Sequence, residues 1–235
     1  MKLEQNIQKR FVDIITTQEE SQISSKAHEV YKNLIYYSFE DVILNAYPRF
    51  VKLISKEALK SSIYNFMNYG AKDPLYWRVA GEYKDFILSK NYFEIEYLKD
   101  LLDFEFLEIQ MYMQKYTLKE QNTFSKDKHY TLSDAVNIFT YSYPFHNPKF
   151  DANPSKFEQG EYIVLFYYDA QKEQIISREI TPFLKEFLEE LNDTNSVLET
   201  MKKFSANYEV ALDDIIEILG EVLEDFTKNS IILEY

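Results

Sequence analysis

The side chains best suited to chemistry are few in this sequence and poorly spaced for it. Its 235 residues contain no cysteine, which removes disulfides, thiolate metal sites, iron–sulfur clusters and a cysteine nucleophile. His28, His129 and His146 are the only histidines. None stands in an H-x-x-x-H or H-E-x-x-H spacing, so a helical zinc-protease site is absent and each reads as a surface or packing histidine. His146, in Tyr143-Pro144-Phe145-His146, is the one placed in a long loop. The four glycines, at 70, 81, 160 and 220, are too scattered for a P-loop or a dinucleotide fingerprint, and no G-x-S-x-G elbow occurs. Carboxylates are plentiful. Asp100, Glu105 and Glu108 interrupt an apolar helical stripe, and we expect them to pair with Arg78 or another bundle cation, since no partner base stands near for acid–base work. Asp213, Asp214, Glu217, Glu221, Glu224 and Asp225 form an acidic stripe on a second helix, read as a solvated face ahead of a docking surface for a basic partner. No catalytic residue, metal ligand or cofactor is expected, and the chain reads as a non-enzyme.

One cluster has the opposite sign. Arg49, Lys52, Lys56 and Lys60 recur every three or four residues, and residues 30–80 hold seven basic against four acidic side chains. Such a patch suits a nucleic-acid reader. Ser55, however, is placed to interrupt the helix, so the four need not share a face. The chain as a whole carries a net charge of −13. Residues 1–125 hold 16 basic and 18 acidic side chains, whereas residues 126–235 hold 10 and 21. The second half therefore repels a phosphate backbone. A DNA-binding transcriptional regulator is the alternative reading.

The elements that must position these groups fall into two sets. Leu3, Ile7, Phe11, Ile14 and Ile15 recur at helical spacing. Tyr31, Leu34, Ile35, Phe39, Val42, Ile43 and Ala46 mark a second helix that stops near Tyr47-Pro48. Ser55 caps a third, with Leu59, Ile63, Phe66 and Met67 inward and Gly70 past its end. Asp73-Pro74 opens a fourth, with Trp77, Ala80, Tyr83 and Ile87 inward. A fifth spans about 93–115. The polar stretch 121–128 ends this pattern, and a domain boundary is expected there, giving a helical bundle over 1–122 and a second domain over 128–235.

Beyond it, 135–143, 162–168 and 174–180 are rich in β-formers, the last two forming a hairpin. The loop from Pro144 to Gly160 is long enough to be functional or mobile. Thr181-Pro182, the Ser196–Glu199 capping box and the stripe Leu212, Ile215, Ile216, Leu219, Leu223 and Phe226 mark three further helices. The fold class is thus α+β, an all-α bundle followed by a small β-β-β-α-α-α domain of winged-helix-like order. With 46% hydrophobic and 17% aromatic residues the chain can fill two cores. The amino terminus lacks a continuous apolar signal segment and no stretch of 18 apolar residues occurs, so a cytoplasmic location is expected.

The ordered series Val30-Tyr31, Ala46-Tyr47-Pro48, Trp77-Arg78, Gly81-Glu82-Tyr83, Tyr97-Leu98, Glu105-Phe106 and Tyr143-Pro144-Phe145-His146 resembles the HvfC/BufC family, which carries a DNA-binding label. Phe106 stands where that family often has Trp. The resemblance spans nearly the whole chain. It implies an accessory protein with two partners, a ribosomally made precursor peptide and a multinuclear iron oxidase that modifies it. The second half also resembles the PqqD-like peptide-recognition element, in which a leader peptide adds as a strand to the third strand and packs against the last helix. On that pattern Ile175, Ile176, Ser177 and Arg178 would form the receiving strand. Ile175 and Ser177 would share a face with Leu219, Leu223 and Phe226 of the last helix. The competing expectation is that the carboxy-terminal Ile231-Ile232-Leu233 covers this edge.

Overall fold

The computed structural model describes residues 25–71, 73, 75–114, 116, 123–150 and 154–235, with the side chains of 25–28 excepted. The helix expected around Leu3–Ile15 lies outside them. The chain is mixed, with 55% helix and 13% strand, and its helical region comes first. It divides into two compact units, Met1–Gln110 and Met111–Tyr235. The dividing line precedes the polar 121–128 stretch expected to hold it, of which residues 121 and 122 are not described.

The first unit holds α1 (Ser25–Ala46), the single turn α2 (Phe50–Leu53), α3 (Lys56–Tyr69), α4 (Tyr76–Ser89) and most of α5 (Leu98–Tyr112). Ser55 separates α2 from α3 as its spacing requires, its Oγ accepting from the Ala58 amide at 3.1 Å. Gly70 ends α3 at φ 89°, a conformation open to glycine, and donates to Phe66. Aromatic rings fill the core. Phe66 meets Tyr83 at 5.4 Å between centroids, and Tyr36 stacks on Tyr64 at 4.8 Å. Buried hydroxyls are satisfied: Tyr47 donates to the Ala80 carbonyl at 2.7 Å, and Ser62 and Tyr83 share a bond of 2.7 Å. The expected inner face of α1 holds only in its second half. Ile43 and Ala46 are buried, but Tyr31 and Leu34 are exposed, because Tyr36 takes the inward position beside α3.

The second unit begins with β1 (Tyr130–Leu132), which periodicity does not reveal. It continues through β2 (Val136–Tyr141), β3 (Tyr162–Asp169) and β4 (Gln174–Glu179). Three helices follow, α6 (Pro182–Glu190), α7 (Val197–Tyr208) and α8 (Leu212–Lys228), and the chain closes with β5 (Ile232–Glu234). Thr181 caps α6 by accepting from Leu184, and Ser196 with Glu199 forms the expected capping box on α7. Strands β2, β3 and β4 form one antiparallel sheet in that order. β5 pairs with β1 in a separate ladder, Leu132 opposite Ile232. The carboxy-terminal segment therefore does not cover β4.

β3 is buried on both faces, which is why it reads as an unbroken apolar run. One face, carrying Ile163, Leu165 and Tyr167, packs against Phe187, Leu219, Leu223 and Phe226 of α6 and α8. The other carries Val164 and Phe166, both fully buried. Phe145 and Phe150 of the 144–160 loop are fully buried, their rings 5.1 Å apart, and Phe166 meets Tyr141 at 6.2 Å. The described residues 144–150 of the long loop thus contribute buried aromatic side chains.

Candidate peptide-docking edge

The sheet order leaves the outer sides of both β2 and β4 without a partner strand among the described residues, and β4 is the edge that Arg178 ties to α8. Its register against β3 is regular from Val164 opposite Glu179 to Asp169 opposite Gln174, with no bulge and no proline. Natural edges are usually blunted by such devices. Here Arg178 and Glu179 are the only charges on the strand.

Backbone parity follows from one bond. Ile180 donates to the Ile163 carbonyl at 2.9 Å, so these opposite residues are a hydrogen-bonded pair. Hydrogen-bonded pairs alternate in an antiparallel ladder, so Arg178 and Ile176 also turn their backbone groups toward β3. The N–H and C=O of Ile175, Ser177 and Glu179 consequently point away from the sheet.

Side-chain parity reverses the expected arrangement. Ile176 packs against the core shared with Leu219, Leu223 and Phe226. Arg178 reaches Asp225 of α8 at 3.0 Å, and its guanidinium lies 5.6 Å from the Phe226 ring centroid. Ile176 and Arg178 therefore face α8. Ile175 and Ser177 share the opposite side with Glu179, whose carboxylate meets His146 Nε2 at 2.9 Å and so ties the long loop to the strand. Counting alternation from the strand start left the absolute face open, and the helix-side core decides it. Leu219, Leu223 and Phe226, expected to line a groove, are buried and form that core. Off the buried stripe of α8, on the flank that helical periodicity assigns to Asp225, lie the half-buried Val222 and Ile218, which is 61% exposed. Ile218 was legible as an apolar residue off the main stripe, but nothing in the sequence tied it to β4.

The basic cluster does not assemble into one surface. Arg49 is half-buried with its guanidinium 5.0 Å from the Phe104 centroid, ahead of α2. Lys52, Lys56 and Lys60 are exposed, but the extended Ile54 and the Ser55 cap break the helix between Lys52 and Lys56.

Glu105 is the buried carboxylate of the helical unit. It was expected to pair with Arg78 or another bundle cation; Arg78 binds Asp73 at 3.0 Å, and the cation whose charge acts on Glu105 and Glu108 is Arg49. Glu105 accepts the backbone amides of Arg49 at 2.6 Å and Phe50 at 3.2 Å, capping the start of α2 from α5. Burial pushes its carboxyl up to about 7, against the pull of those two amides. Burial raises Glu108 as well. A recess floored by Ala46 and Ala80 and walled by Val42, Trp77 and Ile109 lies in the same unit. It is largely apolar, with Asp41, Asn45 and Tyr76 also on its lining.

No helix among the described residues is long and apolar enough to cross a membrane. No family model matches the chain, and no curated protein matches it.

Proposed function

We propose that this protein is a non-enzymatic accessory protein of the cytoplasm that binds a ribosomally made precursor peptide and presents it to a multinuclear iron oxidase. In this reading the second unit is a PqqD-like recognition element. An extended segment of the precursor adds as a fourth strand along β4. The observation that carries the proposal is the outer side of β4, which has no partner strand among the described residues. The outward backbone groups of Ile175, Ser177 and Glu179 supply affinity without demanding particular side chains. The resemblance to the HvfC/BufC family supports the identity of the two partners. The broken basic cluster and the acidity of the second half weigh against the DNA-binding reading.

The test uses proline at two neighbouring positions. Ser177→Pro removes a donor that faces outward, a position where an edge strand tolerates proline. Ile176→Pro removes a donor bonded to β3 and damages the hairpin itself. Calorimetry with the precursor peptide encoded beside this chain should show binding to the native protein. It should show at least a tenfold loss in Ser177→Pro, with thermal stability retained. Native affinity in a folded Ser177→Pro variant would remove β4 from the binding site.

A further inference from the structure

We infer that the segment received by the β4 edge is cationic: an extended stretch in which an apolar side chain is flanked at alternate positions by Lys or Arg. The inference rests on the edge-docking reading and adds the chemistry of the ligand. The 3.0 Å contact between Arg178 and Asp225 identifies which flank of α8 stands over β4. Helical periodicity carries that flank back from Asp225 to Glu221, Ile218 and Asp214, at separations of four, seven and eleven residues. Ile218 is 61% exposed there, and Asp214 and Glu221 on either side of it are exposed carboxylates. Along the helix Ile218 lies about 6 Å from Asp214 and about 4.5 Å from Glu221.

A strand laid outside β4 turns every second side chain toward this flank, at intervals of about 7 Å. An apolar residue meeting Ile218 and Val222 thus has its neighbours two positions away beside Asp214 and Glu221. The stem of Lys or Arg spans the small mismatch and lies along apolar surface while its head reaches the carboxylate.

The cations around this flank already have anionic partners. Arg178 is matched by Asp225, Lys228 by Glu224 at 2.9 Å, and Lys172 by Asp169 at 3.1 Å. On the far face of the strand Glu179 holds His146. The field left over is negative. An anionic segment would place carboxylates against this field, and a neutral one would leave it unused.

The experiment measures fluorescence anisotropy of the full chain with three labelled ten-residue peptides in which Val is flanked two positions away on each side by Lys, Thr or Glu, with Thr at the intervening positions, so that Val and its flanking residues share one strand face. The Val/Lys peptide should bind at least tenfold more tightly than Val/Thr, and Val/Glu should bind weakest. The Asp214→Asn, Glu221→Gln double variant should bring Val/Lys down to the level of Val/Thr. Ser177→Pro should weaken both. Equal affinity for Val/Lys and Val/Thr, lost together in Ser177→Pro, would overturn the cationic inference while the edge reading stands. Val/Lys binding that Ser177→Pro leaves intact would mean attachment by charge alone, and both would fall. Failure of all three peptides to bind would also overturn both.

Discussion

The Ile180 amide donates to the Ile163 carbonyl across 2.9 Å, and this bond sets which residues of β4 face the open edge. Amide exchange followed residue by residue should reproduce the resulting alternation. Ile176 and Arg178, bonded to β3, should exchange slowly, and Ile175, Ser177 and Glu179 rapidly. Uniform protection along 175–179 would mean that the edge is occupied by part of the chain or by a second copy. Addition of a docking peptide should slow the three outward amides selectively.

Glu105 should make stability depend on pH. Burial lifts its carboxyl from 4.5 to about 7, so the folded protein keeps a proton that the unfolded chain has released. Stability from this group therefore falls as pH rises from about 4.5 to about 7 and is level above that. The full change is on the order of 3 kcal/mol. Glu108, raised in the same direction, adds to the slope. Urea denaturation between pH 5 and 8 should show the native chain losing ground to Glu105→Gln as pH rises. Parallel curves would show that Glu105 does not titrate in this range.

Gly81 is required by a close approach and not by its backbone angles. A Cβ there would lie 2.7 Å from Cζ of Phe106. That ring also carries Lys84 at 4.9 Å from its centroid, and Lys84 is bound to Asp103 at 2.7 Å. Gly81→Ala should cost about 1–3 kcal/mol through overpacking. Combining it with Phe106→Leu should cost less than the sum of the two single changes, since the smaller side chain vacates the contact. Strict additivity in thermal melts would refute the steric account.

Duplex DNA should bind weakly. Residues 126–235 carry 21 acidic against 10 basic side chains, and Arg49 is stacked on Phe104 apart from the exposed lysines. Anisotropy with a labelled duplex should show affinity that collapses between low and physiological salt. Sequence-specific nanomolar binding at physiological salt would instead establish the regulator reading.

Local chemistry made much of this fold legible. Ser55, Gly70, Thr181-Pro182 and the Ser196–Glu199 box act within one turn, so the residue type at each place was enough to mark a helix end. The 174–180 hairpin and the buried run of β3 were legible for the same reason, since both are contiguous patterns. Long-range pairing was not. β1 is three residues long and exists through its ladder with β5, 100 or more residues away. The hydrogen-bond donors to Glu105 were invisible because they are a pair of backbone amides, which no residue type announces. Alternation along 174–179 defined two faces, but only the helix-side core could say that Ile176 and Arg178 belong to α8 while Ile175 and Ser177 do not. The sequence by itself determined where helices begin and which strands form a hairpin, because those choices are settled by neighbours in the chain. That β4 keeps an open side, and that Asp225 of α8 meets it, only the tertiary structure decided, because both depend on where β5 finds its partner and on how α8 packs against the sheet.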